Sequence, residues 1–406
     1  MKMETPASTP HIGPPPLPSF EPLEFRGEGK EYFRIWIVNF FLTILTLGFY
    51  TPWARVRTRR YFYRNTRLAG HGFDYTADPR KLLLGYLIVA TFMVAYFLGE
   101  WISIFLSLGA LFVFFALAPW IRWKSARFRA ANSSYRHLRM RFSGSCGEAY
   151  RVFLGLPLLA MLTFGLLYPL SMFRQRQYYL ENLRYGGAEP RFAGRLTYFF
   201  AVVLGIGGAA FVLGFVLMFS VFFAGSSMVF SSMMQERSAP VEVGQPEAGG
   251  DFDPNPALEA EEAEEAEEDE DDSPFSFDSG AFERMAMAGV GGFYALIGLA
   301  ALLIHVLLLN HSWSHFTLMT RAGEVSFRCR LHPGRYLWIV VSNLVLTILT
   351  LGVFMPFAKV RAHRYRISRM ACWGASLLES EEGSVAESVG ATGESASDWL
   401  DVEFGL

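Results

Sequence analysis

Apolar and polar positions in this chain separate into blocks. Apolar runs cover Ile35–Tyr50, Leu82–Leu98, Trp101–Pro119, Val152–Leu170, Leu196–Phe223, Met285–Asn310 and Tyr336–Pro356. Most approach the roughly 20 residues that a helix needs to span a bilayer. Short alternating stretches flank several of them, at Leu23, Phe25 and Gly27, at Gly72-Phe73-Asp74-Tyr75, at Phe142 and Gly144, and at Phe327, Cys329 and Leu331. Alternation with a period of two predicts strands. The pattern as a whole predicts an all-α polytopic membrane protein with small cytoplasmic β elements beside the helices.

Two of the apolar runs are nearly the same text. LTILTLGFYTPWARVR occupies Leu42 to Arg57 and LTILTLGVFMPFAKVR occupies Leu346 to Arg361. Over Asn39–Tyr61 against Asn343–Tyr365, 14 of 23 positions are identical. A third, worn copy aligns Leu162-Thr163-Phe164-Gly165, Pro169, Arg174 and Tyr178 with Leu45-Thr46-Leu47-Gly48, Pro52, Arg57 and Tyr61. Asn132-Ser133-Ser134-Tyr135-Arg136-His137 likewise resembles Asn310-His311-Ser312-Trp313-Ser314-His315. Such self-similarity sets the architecture before any other reading. It divides the chain into membrane repeat A, residues 23–141, repeat B, residues 142–326, and a partial repeat C, residues 327–371. A Pro-rich tail, residues 1–22, an acidic insertion, residues 236–283, and an acidic tail, residues 372–406, are expected to be disordered.

Composition sharpens this picture. The 406 residues are 52% hydrophobic and 18% charged, against about 25% charged in a soluble domain. Glu236–Glu283 holds 18 of the 38 acids and one base. Without that stretch and the tail from Glu379 onward, 12 acids face 35 bases. The membrane part is therefore strongly basic, which suits anionic headgroups. The arginines flank apolar runs and form no separate soluble domain, which argues against nucleic acid. Cys146, Cys329 and Cys372 have no paired spacing, so reduced thiols are expected. No signal peptide is legible at the start of the chain.

The candidate chemistry is sparse. Asn39, Thr43 and Thr46 share one helix face, as do Asn343, Thr347 and Thr350. These polar stripes suit either interhelical hydrogen bonds or a solute path. Arg57, Arg174 and Arg361 take one position in the three copies, and Tyr61, Tyr178 and Tyr365 follow one turn later. With Arg60 and Arg364 they are candidates for lipid or anion contact, since arginine holds phosphate bidentately and tyrosine favours the interface. His305, His311 and His315 lack an acidic or thiol partner at ligand spacing, so packing is expected and no metal. Gly205, Gly207 and Gly208 sit within an apolar run and read as close helix packing, as does the pair Ala288 and Gly292. No GxSxG, HExxH, Walker A or carboxylate pair occurs in a usable context, so no enzyme and no cofactor is expected.

Taken together, the aromatic-Gly strand, Tyr32, Asn39, the LTLG run, Pro52-Trp53-Ala54, Val56-Arg57, Arg60-Tyr61, Asn65-Thr66 and Asn132-Ser133-Ser134-Tyr135-Arg136 resemble the YjgN family from about Phe25 to Trp373. That resemblance implies a multi-pass protein of the bacterial inner membrane and supplies no established activity. Two readings of function follow. The first is a non-enzymatic protein that binds anionic lipid or organises the envelope, with membrane lipids as its partners. The second is a small-solute transporter or channel that uses the repeat interface.

Orientation follows from charge. All three motif runs end in equally basic clusters, which an inverted pair of repeats would place on opposite sides. The motif runs are therefore expected to bend at Gly48-Pro52, Gly165-Pro169 and Gly352-Pro356 and return without crossing. Four full crossings remain, joined in repeat A by a tight turn at Gly99-Glu100. Both termini then lie in the cytoplasm and the insertion lies outside. A cysteine placed at Thr58 should resist an impermeant thiol reagent in whole cells, whereas one at Gly99 should be labelled; the reverse pattern refutes this topology.

Overall fold

The computed structural model describes residues 20–136, 138–238 and 279–380. Most of the acidic insertion and of both tails, including their expected disorder, lies outside the described residues. The described chain is largely helical, with short strands between the helices. It divides into two compact units, Met1–Gly205 with Leu302–Leu406, and Ile206–Ala301.

The strands organise the first unit. Phe20–Pro22 (β1) and Glu24–Phe25 (β2) are one extended segment with Leu23 between them. β1 pairs with Met370–Trp373 (β11), and β2 pairs with Thr66–Leu68 (β3). From β3 the pairing runs through His71–Tyr75 (β4), Ser133–Tyr135 (β5), Leu138–Phe142 (β6) and Leu183–Tyr185 (β7). A bridge between Tyr185 and Ala188 joins β7 to Glu189–Phe192 (β8). From there Phe316–Thr320 (β9) and Gly323–Cys329 (β10) lead back to β11. Every ladder is antiparallel, and the five-stranded and six-stranded sheets meet at the continuous segment Phe20–Phe25 and at the Tyr185–Ala188 bridge, so the strand order runs round as a ring.

The ring is filled. Leu68, Tyr75, Tyr135, Tyr185, Val325, Cys329 and Cys372 are buried. Tyr135 Oη donates to Leu68 O at 2.9 Å, and Tyr185 Oη donates to Tyr135 O at 3.2 Å. Cys372 and Glu21, from the opposite arc, lie within electrostatic reach of Tyr135. Burial, with Glu21 adding to it, pushes the Cys372 thiol up to about 12. The three cysteines are free.

Connections at the two ends of the strands differ. At one end they are tight turns, such as Ala69-Gly70, whose positive φ values of 49° and 75° suit a two-residue hairpin. At the other end every connection is a pair of helices. Gly29–Leu45 (α1) and Thr51–Asn65 (α2) lie between β2 and β3, and Pro79–Ile102 (α3) and Ile104–Asn132 (α4) between β4 and β5. Cys146–Tyr150 (α5), a π turn, Leu156–Leu162 (α6) and Tyr168–Asn182 (α7) lie between β6 and β7. Leu196–Ser238 (α8) and Ser279–Ser314 (α9) lie between β8 and β9, and Pro333–Leu349 (α10) and Met355–Ile367 (α11) between β10 and β11. Among the described residues, four helical stretches are long and apolar enough to cross a membrane: Pro79–Gly99, Ile104–Asn132, Leu196–Ser227 and Ala286–Ser314.

Several expectations change. The β elements are two linked sheets and not separate hairpins, because strands of two to seven residues must find partners along the whole chain. β3, β5, β7, β8, β9 and β11 are too short or too irregular to betray alternation. Strand pairing also draws Phe20–Pro22 and Cys372–Trp373 out of the expected tails, and Ala375–Ser380 forms a 3₁₀ turn after them. The break in repeat A falls at Ser103, not at Gly99-Glu100, because the Ser103 side chain caps α4 by accepting from Phe105 N–H. Asn132 O and His315 O each accept a backbone N–H from the neighbouring connection, so the ring equates Asn132 with His315, not with Asn310. Within the second unit, a Cβ on Gly214 would lie 2.7 Å from the Phe293 ring, and one on Gly292 would lie 2.8 Å from Leu217. Gly205 and Gly208 meet open space instead.

His363 of α11 is wedged between the Phe25 and Phe62 rings, at 4.7 and 4.9 Å, with Nε2 3.3 Å from Thr66 Oγ1. Burial, and secondarily Arg366, depresses its pKa to about 3. The unfolded imidazole titrates near 6.5, so between those values the unfolded state binds a proton that the native state refuses. Stability is full above about pH 6.5 and falls as the pH is lowered, by about 2 kcal/mol between pH 7.5 and 5 from this group. Thermal unfolding in detergent across that range should show a decline that is shallower in His363→Asn by this amount; equal slopes contradict the assignment.

Candidate membrane interface

The three motif runs are helical hairpins that leave the strand ring and return to it. Their turns use the same hydrogen bonds. Gly48 N–H donates to Thr43 O, Gly165 N–H to Ala160 O, and Gly352 N–H to Thr347 O, each at 2.7 Å. Thr46 Oγ1 donates to Leu42 O at 2.7 Å and accepts from Tyr50 N–H at 3.0 Å. Thr350 does the same with Leu346 O and Phe354 N–H, and Thr163 with Leu159 O and Leu167 N–H. The hydroxyl thus binds the last turn of one arm to the start of the other. Glycine follows because φ there is 84° to 91°.

The residue before each glycine is more unusual. Leu47, Phe164 and Leu351 have φ of 49° to 50°, a left-handed conformation that costs a side-chain-bearing residue about 1–3 kcal/mol. Their exposures are 91%, 100% and 95%. Ile44, Leu45, Phe49, Met161, Leu162, Leu166, Ile348, Leu349 and Val353 around them are exposed as well. Each tip is therefore an apolar cap with no protein against it. Basic residues follow closely. From Thr51 to Arg55, or Met355 to Lys359, the helix rises only about 6 Å. From Tyr168 to Arg174 it rises about 9 Å. Half of a hydrocarbon core is about 15 Å, longer than either rise.

The arms carry the candidate residues. Arg57 and Arg174 are exposed, and Arg174 donates to Gln177 Oε1 at 2.9 Å. Arg361 is turned inward and donates to Ser342 Oγ at 3.0 Å and Asn343 Oδ1 at 3.3 Å. Arg60 donates to Tyr75 O, and Arg364 to Gly27 O at 2.7 Å. Tyr61, Tyr178 and Tyr365 are buried. Their hydroxyls donate to Glu28 O, Ser145 O and His332 O, the residues that begin the opposite arms. Burial, then Glu31, raises the Tyr61 phenol. The polar stripes are used locally. Asn39 Nδ2 donates to Ala54 O and Asn343 Nδ2 to Ala358 O, across each hairpin. Thr43 and Thr347 donate to Asn39 O and Asn343 O on their own helices. His311 Nε2 accepts from Arg195 N–H at 2.9 Å and stacks on Tyr198. No cluster of metal-ligating side chains occurs among the described residues.

The aromatic-Gly pairs, read from the sequence only as strand signals, have a packing role. At Gly144 an added Cβ would lie 2.7 Å from the Phe142 ring and 2.9 Å from Tyr178 Oη. Gly27 and Gly194 are covered in the same way by Phe25 and Phe192. The recurring Phe-x-Gly tripeptide is the signal, and its purpose is to let an aromatic ring fold over the start of the following helix.

These features meet their counterparts in a family. A family model described as "Bacterial protein of unknown function (DUF898)" matches residues 20–399. The chain belongs to that family. It is 34% identical over 152 residues to "Inner membrane protein YjgN" of Salmonella typhimurium, across 37% of this chain and 38% of that protein. It is 30% identical over 152 residues to the proteins of the same name from Escherichia coli O157:H7 and strain K12, across 36% of this chain and 37% of each. The match thus spans little more than a third of these relatives' length. No solved structure matches the chain. The resemblance read from the motifs is borne out, and with the four apolar helices it places the protein in the bacterial inner membrane.

The threonine bracket generates a test. Thr46→Val removes two hydrogen bonds at the turn, at about 1 kcal/mol each, whereas Thr43→Val removes one bond within a helix. Thermal unfolding should show the larger loss for Thr46→Val; equal losses contradict the bracket.

Proposed function

We propose that this is a non-enzymatic, multi-pass membrane protein whose three hairpins lie in the cytoplasmic leaflet and engage anionic lipid, and that it organises the envelope through those contacts. The observation that carries the reading is the set of three wholly exposed apolar tips, each with arginine or lysine a turn or two behind it. Full burial of a Leu or Phe is worth about 1.5–3 kcal/mol, so three tips held away from protein favour hydrocarbon strongly. The arginines then come to rest at headgroup depth, where they are attracted to phosphate. Arg57 and Arg174, exposed on the second arms, are best placed for that contact. Three hairpins alternating with two long helix pairs are read as internal repeats, consistent with the identities between Asn39–Tyr61 and Asn343–Tyr365. Membrane lipids are the partners this reading names, and nucleic acid is not among them. A solute path along the polar stripes gains no support from side chains that bond within their own hairpins.

Depth decides the matter. Spin labels on cysteines placed at Leu47, Phe164 and Leu351, in a variant without native cysteines and reconstituted in vesicles, should be accessible to oxygen and shielded from a water-soluble nickel chelate. The depth should be less than half the hydrocarbon core. Nickel accessibility like that of an aqueous loop, or a depth at the far leaflet, overturns the proposal.

A further inference from the structure

The three hairpins share one design and differ in how they hold their arginines. In the third, Arg361 Nη1 donates to Ser342 Oγ at 3.0 Å and to Asn343 Oδ1 at 3.3 Å. The side chain is thereby drawn back against α10 and half-buried. Ser342 Oγ itself donates to Ile339 O at 3.3 Å, which occupies its proton and leaves its lone pairs for the guanidinium. In the first hairpin, Arg57 follows Asn39 by 18 residues, as Arg361 follows Asn343. Each asparagine amide is pinned alike, Nδ2 donating across its hairpin at 3.3 Å to Ala54 O and at 3.1 Å to Ala358 O. Yet Arg57 is exposed, and Asn39 Oδ1 is buried with no hydrogen-bond partner among the described residues. An orphaned buried acceptor is costly, and the third hairpin shows that an arginine at this spacing can reach it. The two differ at the residue before the asparagine. It is Ser342 in the third hairpin and Val38, which has no side-chain acceptor, in the first. In the second hairpin Gly155 and Leu156 stand at these two positions, and its arginine, Arg174, is exposed.

We infer that this position, Val38 or Ser342, decides which hairpin arginine is turned outward. One amide oxygen does not hold a guanidinium that water or phosphate also solvates; a hydroxyl on the preceding residue tips the balance. Ser342 and Val38 are thus positioning residues. With Nη1 committed, Arg361 loses the end-on fork in which both terminal nitrogens grip one phosphate. Arg57 and Arg174 keep that fork. The consequence is a division of labour: two hairpins offer arginine to anionic headgroups, and the third uses its arginine to brace its own arms. That consequence rests on the lipid reading above, whereas the positioning does not.

The test uses the full chain in mild detergent and the arginine-selective reagent phenylglyoxal, with the rate at each site followed by peptide mass spectrometry. Arg57 and Arg174 should react fast and Arg361 slowly. Ser342→Val and Ser342→Ala should each speed Arg361 by about tenfold or more, the change expected from one hydrogen bond to a charged group. Ser342→Thr, which keeps the hydroxyl, should leave Arg361 slow. Val38→Ser should slow Arg57 by about the same factor, and Val38→Ala, which adds no acceptor, should not. Arg361 remaining slow in both Ser342→Val and Ser342→Ala, or Arg57 remaining fast in Val38→Ser, overturns the inference. So does equal release of Arg361 by Ser342→Thr, which marks a packing effect. Repeating the reaction with phosphatidylglycerol or phosphatidylcholine separates this inference from the lipid reading. Phosphatidylglycerol should shield Arg57 in the parent and the released Arg361 in Ser342→Val, and phosphatidylcholine should shield them much less. Rates that change as expected in the variants without such shielding uphold the positioning and overturn the lipid contact.

Discussion

Backbone hydrogen bonding around the strand ring is the constraint on which the rest depends. Strands of two to seven residues have little stability alone, and each one here depends on its neighbours. The segment Phe20–Phe25 closes the circuit by pairing with β11 on one side and β3 on the other. Because successive strands are antiparallel and tight turns occupy one end, every helical connection must leave from the other end. The three hairpins and the long helix pairs are thus set in alternation by strand pairing. Packing among the helices then adds to this order, as where Tyr32, Tyr61 and Val360 join the first hairpin to the third.

The hairpins show what the ring makes affordable. A leucine or phenylalanine held at positive φ on an exposed tip is strained, and in water it gains nothing in return. The threonine bracket and the glycine next to it hold the turn in place. On the proposed reading, the same tip is the part that gains most from burial in a membrane. The tyrosines one turn past the arginines work from the other end of each hairpin. Their hydroxyls reach the carbonyls that precede the opposite arms, and so fix how far apart the arms stand at the ring.

Much of this was written in the sequence, because it is local. The LTLG run, the proline and the arginines required a helix, a reversal and a charged base, whatever the rest of the chain did. Apolar length set the four long helices in the same way, and the excess of arginine over acid in the membrane part followed from counting. Family membership was legible from the same motifs. What the sequence left open was every property that depends on a distant partner. Alternation over three residues is too weak to name a strand, so most of the ring was invisible. Tyr61 and Tyr178 have the composition of interfacial anchors, and only packing against Phe25 and Phe142 turns them inward. Arg361 and Arg57 occupy equivalent places in nearly identical text, yet one is bonded to Ser342 and Asn343 and the other is exposed. That difference is tertiary: burial and bonding are set by what surrounds a side chain, which no local pattern encodes.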